Sequence, residues 1–255
     1  MSENETVPEN EKLNDPPLPR LDRPRYGVDA PAFPAAIAAL GTASLLAATR
    51  WRKGRAVTAA TGAVLLASTG VYLHTTLCGK LRVWERELDR IGLKGHEQLL
   101  DLGCGRGAVL IAAARRLPEG RAVGADLWLG KDQSGNTPDA TRANASAAGV
   151  LDRVEVHTAD ITALPFADAS FDVVTSALVI HNIPADEDRY RALDEAVRVL
   201  RPGGRLLVAD FWPMARKYAE HLRHAHLAQA TLRPLGPAYW YGGPWLGITL
   251  LDVIK

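Results

Sequence analysis

The chain has 255 residues, enough for one or two domains. Its 30 Lys and Arg against 29 Asp and Glu leave a formal charge of +1, which argues against a general nucleic-acid binder with its excess of phosphate-seeking bases. With 47% hydrophobic and 23% charged residues the composition is globular, and two cysteines, Cys78 and Cys104, exclude a disulfide framework or a multi-cysteine zinc site.

Residues 1–32 hold seven acids, four bases and six prolines, a composition that cannot build a core and predicts a mobile tail. The acidic start lacks the basic region of a secretory signal. Residues 33–79 form the second zone. Two uncharged runs, Ala30 to Thr49 (20 residues) and Ala56 to Gly79 (24 residues), flank the basic turn Arg50-Trp51-Arg52-Lys53-Gly54-Arg55. A helix of about 20 apolar residues crosses the hydrocarbon core of a bilayer. The runs therefore predict a two-helix hydrophobic hairpin, a candidate transmembrane unit. Its small residues Gly41, Ala43, Ser44, Gly62, Ala63 and Ser68 allow close helix packing. A pair of Ala-rich soluble helices packed on a domain satisfies the same pattern. The positive-inside rule pulls two ways: the turn carries four bases, and Arg20, Arg23, Arg25, Lys80, Arg82, Arg86 and Arg90 carry seven at the two ends. A hairpin lying in the membrane interface removes that conflict.

Residues 80–255 form the third zone, with 22 bases and 22 acids. Leu81, Trp84, Leu88 and Ile91 have the spacing of an amphipathic helix. Strands are predicted near Gln98–Leu102, Ala122–Asp126, Arg153–His157, Phe171–Ala177 and Arg205–Asp210, with a last one at Gly247–Ile254. Helices are predicted near Ala108–Leu117, Pro138–Ala148, Asp186–Leu200 and Met214–Ala230. That alternation specifies a mostly parallel sheet covered on both faces.

The segment Leu99-Leu100-Asp101-Leu102-Gly103-Cys104-Gly105-Arg106-Gly107 runs from an apolar strand through a glycine turn into an Ala-rich helix. Glycines allow positive φ and close approach of a ligand. A dinucleotide fingerprint reads G-x-G-x-x-G, whereas the order here is D-x-G-x-G-x-G. An acid two residues before the first glycine disfavours phosphate and favours a cationic ligand. Cys104 fits this turn as a small side chain rather than as a redox thiol.

The segment resembles motif I of the class I S-adenosylmethionine-dependent methyltransferases. Ala122-Val123-Gly124-Ala125-Asp126, Ala159-Asp160-Ile161 with Leu164-Pro165-Phe166, Phe171-Asp172-Val173-Val174 and Glu195 to Gly204 are similar to later motifs of the same family, in order, over residues 96–210. The resemblance is greatest to the small-molecule branch that includes ubiquinone and menaquinone methyltransferases. It implies a Rossmann-like, doubly wound, mostly parallel seven-stranded α/β sheet. It also implies S-adenosylmethionine as cofactor, S-adenosylhomocysteine as product, and no metal. By resemblance, Asp101 lies near the methionine end and offsets the sulfonium. Gly103, Cys104, Gly105 and Gly107 leave room for methionine and ribose. Asp126 accepts from the ribose diol, Asp160 and Ile161 flank the adenine, and Leu127 and Ala177 complete the cofactor-binding set.

Methyl transfer needs alignment and exclusion of water, and a base only where the acceptor must lose a proton. After the fourth strand comes Ser176-Ala177-Leu178-Val179-Ile180-His181-Asn182-Ile183-Pro184, which in this fold lies beside the methyl. His181 and Asn182 are the candidate catalytic residues, His181 as the base. A histidine that only orients the loop is the alternative. An N-P-P-Y motif for nucleic-acid amines is missing here, so no nucleic-acid substrate is expected. The segment from Trp128 to Thr137 reads as a lid or as a plain connector. The aromatic run Pro237 to Trp245 reads as a pocket wall, a membrane contact or ordinary packing. His221, His224 and His226 lack the spacing and partners of a metal site.

These observations predict a membrane-associated methyltransferase, its catalytic domain in the cytoplasm, acting on a small lipophilic acceptor. Two alternatives stand beside it: a membrane-anchored cofactor-binding sensor or scaffold, and a soluble cytoplasmic enzyme whose N-terminal helices cap the pocket. The oligomeric state is left open.

Overall fold

In the computed structural model, which describes residues 18, 21–224 and 230–255, the apolar run at Gln98–Leu102 is strand β1 near the middle of a seven-stranded sheet. The other strands are β2 (Arg121–Asp126), β3 (Val154–Thr158), β4 (Phe171–Ala177), β5 (Leu200–Phe211), β6 (Ala230–Pro234) and β7 (Ile248–Ile254). Their order is β3-β2-β1-β4-β5-β7-β6. The first five are parallel, and β7 runs antiparallel between β5 and β6. Leu99, Leu100 and Leu102 have no exposed surface, which is why β1 is apolar on both faces instead of alternating.

Four helices cover the sheet: α4 (Ala108–Ala114), α5 (Pro138–Ala147), α6 (Asp186–Val199) and α7 (Trp212–His224), numbered after three that precede it. Leu193, Val199, Tyr218 and Leu222 of α6 and α7 pack with Leu100, Leu102, Val174 and Leu206 on one face. Leu110 and Ile111 of α4 pack with Leu99 and Val173 on the other. Local chemistry starts these helices where they start. Thr137 Oγ1 accepts from Ala140 N (3.1 Å) ahead of Pro138 in α5, and Asp186, Glu187 and Asp188 occupy the positive end of α6.

The preceding helices are α1 (Ala32–Arg50), α2 (Arg55–His74) and α3 (Lys80–Ile91). α2 and α3 are not separate. One π-helical stretch, Thr75–Gly79, joins them into a rod of 37 residues. α1 and α2 form a hairpin in close contact: a Cβ on Gly62 would stand 2.8 Å from the carbonyl oxygen of Gly41. Most of both apolar helices is uncovered, and Leu40, Leu46, Val57 and Val64 are each more than half exposed. The root of α2 is fixed to the domain, where Ser68 Oγ donates to Gly242 O and Thr75 Oγ1 to Trp240 O, both at 2.6 Å.

The structure departs from the sequence reading in four places. β5 begins at Leu200, which pairs with Phe171 before a register shift carries the pairing to Val173 and Arg205. The helix predicted to reach Ala230 is described as far as His224, residues 225–229 and with them His226 lie outside the described residues, and Ala230 opens β6 instead. The amphipathic helix of residues 81–91 is the end of the rod rather than a free element. Residues 25–30, read as part of the tail, run along the domain: Ala30 N donates to Asp132 O (2.8 Å) and Ser134 N to Val28 O (3.0 Å). Most of the remaining tail, residues 1–17, 19 and 20, lies outside the described residues.

Candidate functional site

β1 and β4 are neighbours, yet the chain leaves β1 toward β2 and β3 and returns on the other side at β4. Such a switch point leaves a crevice at the carboxyl ends of the strands. Here it holds a cavity of about 530 Å³. Its walls include Asp101, Gly103, Cys104, Gly105, Asp126, Leu127, Asp160, Ile161, Ala177 and Asn182. These come from the ends of β1, β2 and β4 and from the loops after β1, β3 and β4, so the sheet itself brings them together.

The β1 turn is shaped by backbone conformation. Gly103 and Gly105 take φ of +65° and +52°, which residues with a side chain rarely adopt. Gly103 N donates to Ala125 O (2.7 Å), tying the turn to β2. Gly107, named with them, stands behind the loop as the residue before α4, and does not line the cavity.

Asp101 is 2% exposed. Thr175 Oγ1 donates to its Oδ1 (2.8 Å) and Leu110 N to its Oδ2 (3.1 Å). Burial pushes its pKa up to about 7, those two hydrogen bonds pull the other way, and the nearby charge of Asp126 adds to the rise. The site is thus built around an acid that a cationic group would ionise. Burial, followed by the charges of Asp101 and Asp126, raises the Cys104 thiol well above its ordinary value. The buried thiol is a packing group and not a nucleophile.

Asp126 Oδ2 accepts from Gly105 N (2.8 Å), while its Oδ1 accepts from Trp128 N (2.6 Å) and Asn136 Nδ2 (3.2 Å). Asn136 Oδ1 is buried beside it without a hydrogen-bond partner. Asp160 Oδ1 accepts from Thr162 N and Oγ1 at 2.9 and 2.8 Å, which leaves Oδ2 without a protein donor in that turn. The segment from Trp128 to Thr137 supplies a roof through Leu129, Lys131, Asp132, Gln133 and Asn136.

His181 stands at the edge rather than in the cavity wall. Its Nδ1 is 2.9 Å from Asp210 Oδ1 at the end of β5, within ion-pair distance but outside hydrogen-bond alignment. Its ring meets Phe211 edge-on at 5.1 Å. Asp210 has no exposed surface and accepts from Phe211 N at 2.7 Å. His221 lies elsewhere, stacked on Tyr190 and 2.7 Å from Asp194. Tyr239 of the aromatic run lines the cavity, and Trp245 is 69% exposed.

Sequence reasoning missed Asp210, Asp29, Lys80 and Gln133. Only Gln133 carried a signal, since it falls in the long polar segment after β2.

Residues 100–208 match the model of a methyltransferase domain. The chain is 37% identical over 131 residues to the ubiquinone/menaquinone biosynthesis C-methyltransferase UbiE of Roseobacter denitrificans, covering 51% of this chain and 49% of that protein. It is 36% identical over 132 residues to the 27-O-demethylrifamycin SV methyltransferase of Amycolatopsis mediterranei, covering 51% and 44%. The chain thus spans about half the length of these curated relatives. Its fold is also that of the Burkholderia thailandensis 1,6-didemethyltoxoflavin-N1-methyltransferase, whose crystal structure holds 1,6-didemethyltoxoflavin and S-adenosylhomocysteine (TM-score 0.52, 20% identity, covering 69% of this chain and 77% of that one).

Proposed function

We propose that this chain is a class I methyltransferase of the small-molecule type that uses S-adenosylmethionine to methylate a small lipophilic acceptor at a membrane surface. The observation that carries the reading is the cavity at the switch point, where Asp101, Asp126 and Asp160 converge with the glycine turn. The donor set fits the cofactor. Asp126 with the unpartnered Asn136 Oδ1 suits a pair of ribose hydroxyls. Asp101 suits a cationic neighbour, and Asp160 Oδ2 suits an adenine amino group.

When bound, the cofactor supplies a methyl group activated by its sulfonium. The protein has to align the acceptor with that methyl and keep water out. The roof from Leu129 to Asn136 serves exclusion. His181 is the group that takes a proton from an oxygen or carbon acid. Its Nδ1 lies 2.9 Å from Asp210 Oδ1, so a small rotation of the ring would let Nδ1–H donate to Asp210 and leave Nε2 as the base nitrogen. Asp210 then acts as a positioning residue.

The exposed apolar hairpin supports a membrane location for the enzyme, and a cytosolic cofactor would put the catalytic domain on the cytoplasmic side. From Ser68 outward to the turn, α2 leaves about 14 residues free of the domain, or about 21 Å. That is short of the roughly 30 Å of a hydrocarbon core. The four cations at its tip would be costly at that depth. Both facts favour a hairpin lying in the interface, its tip on the headgroups of the same leaflet. The hydrogen bonds that root α2 in the domain favour the soluble reading as a second one.

Comparing lipid extracts from cells making the wild type and Asp101→Ala tests the reading. A lipid heavier by one methylene, present only with the wild type, is expected. Identical lipid extracts, with a methylated product only in the aqueous fraction, would overturn the lipophilic acceptor.

A further inference from the structure

Lys80 opens α3, is 6% exposed, and has no part in the transfer chemistry described above. A buried ammonium costs several kcal/mol unless it is paired. Its partner is Asp29, from the strap that precedes the hairpin, whose two oxygens accept from Lys80 Nζ at 2.6 and 2.7 Å. Asp29 also accepts from Tyr241 OH (2.6 Å) and Gln133 Nε2 (3.1 Å). A carboxylate has about four acceptor sites, so Asp29 is saturated. Burial raises its pKa, but the charge and hydrogen bonds of Lys80, with those of Tyr241 and Thr76, outweigh that and hold it below the ordinary carboxylate value. Lys80 has three N–H donors and directs two at Asp29. The remaining one is available to the cavity, which Lys80 lines together with Trp84, Asp101 and Gly103.

A cation and an acid on the wall of one cavity match a zwitterion. We propose that Lys80, held in place by Asp29, receives the α-carboxylate of the amino-acid end of S-adenosylmethionine, so that the root of the hairpin is part of the cofactor site. The proposal rests on the reading that this cavity takes that cofactor. Asp29 is three residues before α1, and Lys80 follows α2 through the π-helical stretch, so both ends of the hairpin meet at this ion pair. The strap also roofs the site, since Asp29 bridges to Gln133, whose Oε1 accepts from Arg106 N (2.7 Å).

Calorimetry on the full chain with three ligands tests this: S-adenosylmethionine, S-adenosylhomocysteine, and 5′-methylthioadenosine, which lacks the amino-acid end. Lys80→Met should weaken the first two by about tenfold or more and leave the third within about twofold, the loss of one charge-assisted contact. Equal weakening of all three, or no weakening, would overturn the proposal and leave Lys80 a structural residue. Lys80→Met strands a buried carboxylate, so Asp29→Asn/Lys80→Met, which removes both charges, is measured beside it and should show the same selectivity. A wild type that binds none of the three ligands would overturn the cofactor reading itself, and this inference with it.

Discussion

Asp101 gives the site its pH dependence. Its folded pKa of about 7 stands above the ordinary 3.8, so the stability this group contributes is present at low pH and is lost as pH rises through about 7. A cationic ligand favours the ionised form. Binding of S-adenosylmethionine should therefore tighten from about pH 6 to pH 8 and release roughly half a proton near pH 7. Calorimetry in buffers of different ionisation enthalpy reads that release directly, and Asp101→Asn should abolish it. A release near zero at pH 7 in the wild type would contradict the assignment. For His181, replacement by Gln should lower kcat about a hundredfold without changing cofactor affinity. Asp210→Asn should lower it less, and the double variant should be no slower than His181→Gln alone, because both act through one imidazole. Additive losses would separate the two residues. Asp101 was legible because a local motif, strand then glycine turn, carries it, and Asp126 because it ends the next apolar strand, where the family resemblance expects an acid. Asp210 and Asp29 were not, because their partners, His181 and Lys80, lie far away in sequence and no periodicity records such a pairing.

Among the elements, α2 offers a paired test of helix packing. Gly62 meets the Gly41 carbonyl and Leu45, whereas a Cβ on Gly70 would meet nothing within 4 Å. Gly62→Ala should destabilise the hairpin by about 1–3 kcal/mol through overpacking. Gly70→Ala should stabilise it by up to about 1 kcal/mol through helix propensity. Thermal melts of both variants check the signs, and a stabilising Gly62→Ala would mean that the helices are not in close contact. The central strands and their helices were legible because both-face burial and helical spacing leave plain patterns. β6 was not: it is a short edge strand ending in Pro234, and only its pairing with β7 makes it a strand. The junction of α2 and α3 was hidden for a similar reason. A change from apolar to amphipathic composition at Lys80 looks like a boundary, but the backbone continues through it.

For the whole molecule, the fold places the candidate cavity and the hairpin root side by side, joined through Asp29, Lys80 and Tyr241. An interfacial hairpin would then hold the cavity next to the lipid in which an apolar acceptor dissolves. A cysteine at Lys53, labelled on vesicle-bound protein, should react with a reagent added on the domain's side. Reaction only from the opposite side would mean a spanning hairpin. Composition and run length revealed an apolar hairpin, but its usable reach depends on where the domain grips α2, which only the folded structure shows.

The most direct measurement of the central claim is transfer of label from methyl-tritiated S-adenosylmethionine, with the full-length protein and host membranes, followed by separation of organic and aqueous products. The account predicts counts in the organic phase that vanish with Asp101→Ala. Counts equal in wild type and variant, or no transfer by a protein shown to bind the cofactor, would contradict it.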